Sequence, residues 1–475
     1  MSENTSMVPL ASRIAALVHA HFDALPARNK PKIFADGSRE WIPMTGIVAV
    51  KGKHTPSESL HCISVTSGAK CLPASQIPRC QGLVLHDCHA EILAIRAFNY
   101  WLLTECHAIL TEEKSHIFKP NKTGETKHDF IPRSPFIRRR QQAENRANEA
   151  KPPVAWPPLE IQPDINFYMY CTCAPCGDAS MELCMANQED ATPWEVNRPT
   201  NPNLADQGDL LEETLLDGRA HFSLLGVVRR KPARMDAEST RSKSCSDKLA
   251  LRQVSSLLSC ETSLLVAPTE NAYLTGLILP EDEVSRTACD RSFGEKGRME
   301  ALAGRSWPET PAYDGSTTTY RFRPFEVLSV PAEEVDALWQ FAKPKAGEAR
   351  SLLPSEQPSD ATAPKVAPKK SKPGNQADAG LVPFKDWPSI LQPKACLHKH
   401  EDSQDQAQDG HTFHPIPEAN TYEEFKRAGD DVTGPLRIRA KAIHDAKEVL
   451  KGWVSNSGDE GWGLDVLIDP KKRKR

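Results

Sequence analysis

Three short motifs, widely separated along the chain, limit most strongly what this sequence can fold into. His89-Ala90-Glu91 begins a predicted helix, Pro175-Cys176 follows a predicted strand, and Ser244-Cys245-Ser246 begins another predicted helix. One histidine and two cysteines form a three-ligand set for zinc that leaves the fourth position open for water. A glutamate two residues after the histidine can reach that water without binding the metal and can carry its proton. The fold must therefore bring three distant segments to one point.

The second motif departs from the usual one, which continues as Pro-Cys-x-x-Cys. His-x-Glu followed later by Pro-Cys is typical of zinc-dependent nucleobase deaminases, but the fourth position here is Ala179. The third ligand must come from elsewhere, and we predict Cys245, because the start of a helix favours a thiolate. Cys173 and Cys176 could instead form half of a zinc ribbon, but the sequence has no second Cys-x-x-Cys.

The pattern of hydrophobic residues predicts alternating strands and helices, which is typical of an α/β fold. The predicted strands cover 46–50, 60–66, 165–172, 222–228 and 273–279. The predicted helices cover 10–25, 89–105, 246–260 and 421–455. Residues 114–160 are predicted to form a basic, proline-rich insertion, and 343–380 a disordered, proline-rich linker.

Composition and charge exclude several classes of protein. The net charge of −4 over 475 residues excludes a basic nucleic-acid coat, so any such binding must rest on local basic patches. No stretch approaches the roughly 20 apolar residues of a membrane span. The N-terminus lacks the pattern of a signal peptide, so the 13 cysteines are expected to be thiols or metal ligands rather than a disulfide framework.

The three motifs resemble those of the adenosine deaminases that act on RNA, a family with a tRNA-specific branch. The matching segments are LHDCHAEIL (85–93), CAPCGDAS (173–180) and KSCSDKLA (243–250). The resemblance implies a cytidine-deaminase-like three-layer α/β/α fold with a central mixed sheet and a C-terminal helical extension. It implies one catalytic domain over 8–342 and 381–460.

The same resemblance implies the chemistry of the site. His89, Cys176 and Cys245 would bind zinc, and Glu91 would shuttle the proton. The reaction would be hydrolytic deamination of adenosine to inosine, with ammonia as the second product.

The segment before the third motif favours the tRNA-specific branch. About 40 residues precede the catalytic pattern, too few for a double-stranded RNA-binding module, and 226–248 lacks the longer base-flipping loop of the editing branch. The run from Lys231 to Asp236 is similar to the tRNA branch. We therefore expect inosine formation on the 3′ side of the anticodon, at position 37 of alanine tRNA, with RNA contacts at Lys70, Lys231 and Arg234.

Two other functions stay open at this point. One is adenosine editing in double-stranded RNA, which uses the same chemistry on another substrate. The other is a catalytically inactive RNA-binding relative. Inactive relatives typically lose the glutamate or a zinc ligand, whereas Glu91, His89, Cys176 and Cys245 are all present here.

The resemblance also implies a buried inositol hexakisphosphate, which needs many surrounding cations and donors. Asp87 and Lys248 match the relay between that ligand and a zinc-bound cysteine. The expected phosphate-binding positions are Arg96, Tyr422, Lys426, Lys441 and Trp453. The chain departs from the family pattern at Leu251, where an arginine is usual, and carries Arg252 one place later.

The last six residues, 470–475, are a proline followed by five basic residues. Such a cluster binds import receptors or nucleic acid through its charge. We expect a protein shared between nucleus and cytoplasm, with the nucleus favoured. The expected partners are tRNA and a nuclear import receptor, with no obligatory protein partner and no membrane.

Overall fold

A computed structural model describes residues 8–80, 84–116, 134–140, 157–186, 216–218, 224–231, 237–309, 319–343, 421, 435–456 and 462. Its helices are α1 (Leu10–Asp23), α2 (Ile77–Cys80), α3 (Ala90–His116), α4 (Met181–Ala186), α5 (Cys245–Ser255), α6 (Cys260–Ser263), α7 (Arg286–Phe293), α8 (Ala332–Leu338) and α9 (Pro435–Leu450).

The strands that form the central sheet are β1 (Met44–Lys51), β2 (Ser59–Ser67), β7 (Ile165–Cys171), β10 (Leu274–Pro280) and β13 (Glu326–Val330). The short strands are β3 (Ala69–Cys71), β4 (Asp87–His89), β5 (Ile137–Arg139), β6 (Leu159–Ile161), β8 (Leu216–Asp217), β9 (Arg229–Arg230), β11 (Ser306–Trp307) and β12 (Tyr320–Arg321).

The central sheet has five strands in the order β13-β10-β7-β1-β2 and is mixed. β1 pairs antiparallel with both β2 and β7, whereas β10 runs parallel to both β7 and β13. The end of β7 therefore lies beside the start of β1, with Cys171 opposite Thr45. Cys176 follows β7 by five residues and therefore lies at the end of the sheet where β7 ends and β1 begins.

Both faces of the sheet are covered, and for this reason its strands are apolar at consecutive positions. In β1, Ile47 and Ala49 face a core that also contains Phe98 of α3. Val48 and Val50 face the opposite core, which contains Val18 of α1. Helices α3 and α5 therefore lie on one face and α1 and α8 on the other, in three layers.

A further apolar cluster joins the last described helix to the rest of the fold. Ala442, Ala446 and Leu450 of α9 are buried together with Ala250 and Val254 of α5. Since α5 begins at Cys245, α9 supports the helix that carries one predicted metal ligand. In the parts of the chain that the structure covers, no helix is long and apolar enough to cross a membrane.

The predicted α/β fold with a central mixed sheet is confirmed. One predicted strand is wrong: within 222–228 the described residues are irregular, and only Arg229 and Arg230 form a short strand beyond it. Leu224 and Leu225 are exposed rather than inward-facing. The backbone here instead contacts the buried carboxylate of Asp178: the Gly226 N–H donates to Asp178 Oδ1 at 2.7 Å. Most of 114–160 and of 343–380, and all of 470–475, lie outside the described residues.

Candidate metal centre and active site

Three elements bring the predicted ligands together. His89 ends β4 and is followed at once by α3, Cys176 lies beyond the end of β7, and Cys245 is the first residue of α5. The Nδ1 atom of His89 lies 3.7 Å from Cys176 Sγ and 3.6 Å from Cys245 Sγ. A tetrahedral Zn²⁺ with ordinary bond lengths would hold such a nitrogen and sulfur about 3.6 Å apart. The donor set and its spacing therefore fit a metal ion of this kind.

The start of α3 is held by backbone contacts with β2 and the turn that follows it. The Ala90 N–H donates to the Gly68 carbonyl at 2.9 Å, and Thr66 Oγ1 donates to the Ala90 carbonyl at 2.8 Å. Glu91 lies in the first turn of α3, where the helix end favours a negative charge. These contacts fix His89 and Glu91 relative to the sheet.

Direct hydrogen bonds join the segments that carry Cys176 and Cys245, which are 69 residues apart. The Cys245 N–H donates to Cys176 Sγ at 3.3 Å. Ser246 Oγ donates to the Cys176 carbonyl at 2.9 Å and accepts from the Ala179 N–H at 3.1 Å. These hydrogen bonds therefore fix the separation of the two thiols.

Gly177 makes this close approach possible. Its φ is +103°, a backbone conformation that L side chains rarely adopt. A Cβ atom there would lie 2.2 Å from Ser244 Oγ and 2.4 Å from Ser244 Cβ. Only a glycine lets the Cys176 loop lie against the start of α5.

The start of α5 is fixed by a buried carboxylate. Ser244 is the N-cap of α5: its Oγ accepts from the Asp247 N–H at 3.1 Å and donates to Asp247 Oδ2 at 2.6 Å. Asp247 also accepts from the Arg229 N–H at 3.0 Å and from Arg298 Nη1 at 2.6 Å. Asp247 therefore orients the turn that presents Cys245.

Glu91 is the acid at the centre of the site. Its side chain is buried, and its Oε2 atom has no hydrogen-bond partner among the described residues. Burial raises the pKa of the Glu91 carboxyl. A buried carboxylate oxygen without a partner points to an absent polar group, such as a water or a substrate. A raised pKa suits a group that takes up and gives back a proton.

A network of charges lies behind the metal ligands. Lys231 donates to both oxygens of Asp87, at 2.9 and 3.0 Å, and to Cys245 Sγ at 3.2 Å. Lys248 donates to Asp87 as well. Burial opposes ionisation of Asp87, but Lys248 and Lys231 lower the pKa of its carboxyl. Hydrogen bonding from Cys245, together with the Lys231 and His89 charges, lowers the pKa of the Cys176 thiol. Burial and the hydrogen bond with Cys176 raise the pKa of the Cys245 thiol well above its ordinary value, although the Lys231 charge opposes them. The network therefore favours a thiolate at Cys176.

The structure changes the role predicted for Lys231. The sequence analysis expected it to contact RNA, but its side chain is only 3% exposed. Its ammonium faces Asp87 and Cys245 rather than solvent. Lys231 is therefore a buried partner of a metal ligand and cannot reach a phosphate backbone. Arg234, predicted with it, lies outside the described residues.

Cys71 is a neighbour of the site that the sequence analysis did not single out. In the β3–β4 pair Cys71 lies opposite Asp87, and its thiol donates to Asp87 Oδ1 at 3.4 Å. The donor atoms of Cys71, Asp87 and His89 all lie within 4.8 Å of one another. Cys71 therefore touches the network that surrounds the ligands, and only the strand pairing reveals it.

The remaining predicted residues lie at different places. Lys70 is exposed on β3, opposite Cys88 and so next to His89. Arg96 is exposed on α3, and Lys441 is exposed on α9, where it pairs with Asp445. Trp453 is partly buried against the α5–α9 cluster. Tyr422 and Lys426 lie outside the described residues.

Positive charge is concentrated around the start of α5, on Lys243 and Lys248 and on Arg298, which pairs with Asp247. Lys243 is 4% exposed and donates to Asn456 Oδ1 at 2.8 Å. Burial and the charges of its cationic neighbours, of which Lys248 and Arg230 act most strongly, lower the pKa of Lys243 to about 7. Arg298 is buried, and its Nε and Nη2 atoms have no partner among the described residues. Crowded cations and unsatisfied donors fit a region that holds an anion.

Comparisons with known proteins agree with this geometry. The family described as "Adenosine-deaminase (editase) domain" matches residues 64–130 and 144–308, which include all three ligands and Glu91. The chain is 34% identical over 332 residues to "tRNA-specific adenosine deaminase 1" of Schizosaccharomyces pombe, covering 70% of this chain and 69% of that protein.

This chain matches a smaller share of two further relatives. The chain is 31% identical over 277 residues to "tRNA-specific adenosine deaminase 1" of Saccharomyces cerevisiae, covering 58% of this chain and 60% of that protein. It is 27% identical over 241 residues to "Double-stranded RNA-specific editase B2" of Rattus norvegicus, covering 50% of this chain and 26% of that protein. With the matched motifs converging on one site, the chain belongs to the adenosine deaminase (editase) family.

Proposed function

We propose that this protein deaminates adenosine to inosine in tRNA. The observation that carries the proposal is the unpartnered Oε2 atom of Glu91, which among the described residues has no hydrogen-bond partner and is buried in the first turn of the helix that follows His89. Support for a tRNA substrate comes from relatives in two yeasts that are named tRNA-specific adenosine deaminases. The reaction consumes one water and one adenosine and releases inosine and ammonia.

We propose zinc as the ion held by His89, Cys176 and Cys245. When bound, zinc would act as a Lewis acid that lowers the pKa of a water molecule. Glu91 takes one proton from the attacking water and passes it to the purine ring nitrogen; it then takes the proton of the added hydroxyl and passes it to the leaving amine, which departs as ammonia. Lys231 holds Cys245 and Asp87 in place, and Asp247 holds the start of α5.

We propose alanine tRNA as the substrate, with the target adenosine on the 3′ side of the anticodon. Lys70 supports an RNA contact, because it is exposed on β3 opposite Cys88, the residue before His89. The test is to incubate the purified enzyme with alanine tRNA transcript, a second tRNA and a long RNA duplex, and to read inosine by sequencing. Inosine in alanine tRNA alone supports the proposal, and inosine in none of the three RNAs contradicts it.

A second candidate, adenosine editing in double-stranded RNA, is favoured by the match to the rat editase. The same experiment separates the two, since this candidate requires inosine in the duplex and not in tRNA. A catalytically inactive RNA-binding protein would form inosine in neither. The convergence of His89, Cys176, Cys245 and Glu91 argues against such a protein.

We also propose inositol hexakisphosphate as a buried cofactor near Lys243, Lys248 and Arg298. A polyanion there would neutralise crowded cations and satisfy the Arg298 donors that lack a partner among the described residues. The test is to produce the protein in hosts with and without this compound and to measure solubility, zinc content and bound phosphate. Soluble, zinc-loaded protein from the host without it would contradict the cofactor proposal and leave the deaminase proposal standing.

A further inference from the structure

A loop over residues 27–42 projects from the fold between α1 and β1. It is held in shape by its own hydrogen bonds: the Phe34 N–H donates to the Ser38 carbonyl at 2.8 Å, and the Glu40 N–H donates to the Lys32 carbonyl at 3.0 Å. An isolated antiparallel bridge joins Ile33 to Arg39. The loop is therefore an ordered segment rather than an irregular connection.

The loop exposes an unusual set of apolar side chains. Ile33 is 56% exposed, Phe34 51% and Trp41 44%. Only seven large hydrophobic side chains are exposed in the described parts of the chain, and these three belong to one short loop. No other aromatic side chain is among the seven. A concentration of this kind marks a surface that binds something.

The charge of the loop indicates which partner binds. Its cations are Arg28, Lys30, Lys32 and Arg39, and its acids are Asp36 and Glu40. Both acids are engaged within the loop, since Asp36 accepts from Ser38 and Glu40 accepts from the Lys32 N–H. In the described part of the chain, neither Arg28 nor Lys32 has a carboxylate partner. Cations interleaved with exposed aromatic rings are typical of surfaces on which unpaired bases stack.

The loop is attached directly to the segments that carry the catalytic site. It leads into Pro43, whose carbonyl accepts from the Gly68 N–H, and the Gly68 carbonyl accepts from the Ala90 N–H beside Glu91. It also leads into Met44, whose N–H donates to Thr172 Oγ1 four residues before Cys176. Along this path Trp41 lies within roughly 20 Å of Glu91, on the order of six stacked nucleotides.

We infer that the 27–42 loop binds the RNA substrate beside the target adenosine, with unpaired bases stacked on Phe34 and Trp41 and phosphates contacted by Arg28, Lys32 and the nearby Lys70. The inference rests on the proposed function, because it takes RNA as the substrate. It adds that the loop, and not the ligand group alone, supplies affinity for the single-stranded region around the reacting base.

The test compares F34A/W41A with the wild-type enzyme and with V8A, which truncates an exposed hydrophobic residue just before the other end of α1. Dissociation constants are measured for alanine tRNA and for its isolated anticodon stem-loop at two salt concentrations. The loss of two stacking rings predicts binding weaker by at least about 30-fold for F34A/W41A. V8A should bind as the wild type does. Zinc content and melting temperature of all three proteins should agree, and single-turnover deamination at saturating RNA should change only a few-fold.

A second measurement uses the unmodified enzyme. Ultraviolet crosslinking to stem-loop RNA that carries 4-thiouridine next to the target, followed by peptide mass spectrometry, should identify peptides from 27–42. Crosslinks confined to other segments, or unchanged dissociation constants for F34A/W41A in an enzyme that deaminates tRNA, would overturn the inference and leave the proposed function intact. A wild-type enzyme that binds tRNA but forms no inosine would overturn the proposed function instead.

The 27–42 loop could alternatively bind a second copy of this chain instead of RNA. If F34A/W41A converted a dimer to a monomer while tRNA affinity stayed the same, the loop would be a self-association surface and the inference would be wrong. Light scattering of the wild type and the variant provides that measurement.

Discussion

The ammonium of Lys231 donates a hydrogen bond of 3.2 Å to the thiol sulfur of Cys245. The same ammonium pairs with Asp87, two residues before His89. One buried cation therefore contacts Cys245, a proposed metal ligand, and also Asp87, the carboxylate two residues before His89, which is a second proposed ligand. Because the charges of Cys245, Cys176 and Asp87 outweigh the effect of burial, they raise the pKa of Lys231 well above its usual value. The lysine stays charged and stabilises the thiolates.

Replacing Lys231 by methionine should weaken metal binding about 10- to 100-fold, because a group that supports a metal ligand is lost. It should also lower the free energy of unfolding by roughly 3 kcal/mol, since the buried Asp87 carboxylate loses the buried one of its two lysine partners. Competition with a chelator and urea unfolding measure the two effects. Lys231→Arg keeps the charge and should retain more of the metal affinity. Lys51→Met, at a partly exposed lysine that pairs with Asp164, serves as a control and should change stability by less than about 1 kcal/mol. Normal metal affinity in Lys231→Met would contradict the assignment.

Cys176→Ala and Cys245→Ala should each lose the metal, and Cys173→Ala should keep it. Cys173 lies outside the group of convergent donor atoms, and burial raises the pKa of its thiol well above the ordinary value. Metal per protein, measured by plasma mass spectrometry, distinguishes the three variants. A metal-free Cys173→Ala with a metal-loaded Cys245→Ala would replace this ligand set with one based on Cys-x-x-Cys.

Glu91→Gln should keep the metal and reduce deamination by at least about 100-fold, the usual contribution of a general acid–base. The amide has nearly the same shape as the carboxylate but cannot accept the proton. Single-turnover kinetics on tRNA, with metal content as the control, make the measurement. Turnover close to that of the wild type would remove Glu91 from the mechanism.

Because of His19, which lies away from the candidate metal centre, we expect the protein to lose stability in mild acid. It is 1% exposed, and its Nε2 atom lies 2.9 Å from the Tyr170 hydroxyl. Burial, opposed by Asp23, lowers the pKa of His19 to about 4. Its contribution is therefore complete above the unfolded pKa of about 6.5 and is lost as the pH falls toward 4, by on the order of 3 kcal/mol.

The measurement for His19 is urea unfolding of the wild type and of His19→Gln at pH 7 and pH 5. The amide introduced by His19→Gln would still offer a hydrogen bond to Tyr170 but would not titrate. The wild type should lose more stability than the variant between the two pH values. Equal losses would show that protonation of His19 does not limit stability.

The convergence of His89, Cys176 and Cys245 could be predicted from the sequence, because metal binding restricts the choice of side chain. Few residues donate to zinc, so His89, Cys176 and Cys245 stand out within their motifs. Lys231 could not be assigned in the same way, since a sequence shows its charge but not its burial. Its position depends on the hydrogen bond from its own N–H to the Ser242 carbonyl, and Ser242 Oγ in turn donates to the carbonyl of His86, the residue before Asp87.

Some parts of the fold could likewise be predicted from the sequence and others could not. Strands such as β1 and β7 are buried on both faces, so their apolar runs are continuous and easily predicted. Residues 222–228 have the same apolar character, yet Leu224 and Leu225 are exposed. A tertiary contact, from the Gly226 N–H to Asp178, overrides the local preference there. Cys71 was missed because nothing local separates it from the other cysteines of the chain.

We propose that the basic residues of 470–475 direct nuclear import, and deletion of this segment should test it. Deamination of tRNA in solution should stay nearly unchanged, because the catalytic motifs end far before the segment. A fluorescent fusion that lacks it should shift toward the cytoplasm, because a basic cluster is what import receptors bind. Loss of tRNA binding without a shift in localisation would make the segment an RNA contact instead.

Gly177 gives the site an unusual sensitivity to a residue that takes no part in chemistry. A single methyl group at this position would collide with Ser244 and separate the two cysteine-bearing segments. The two cysteines can lie this close together because residue 177 has no side chain. Replacement of Gly177 by alanine, a change of one methyl group, should therefore move Cys176 away from Cys245 although every candidate ligand is still present.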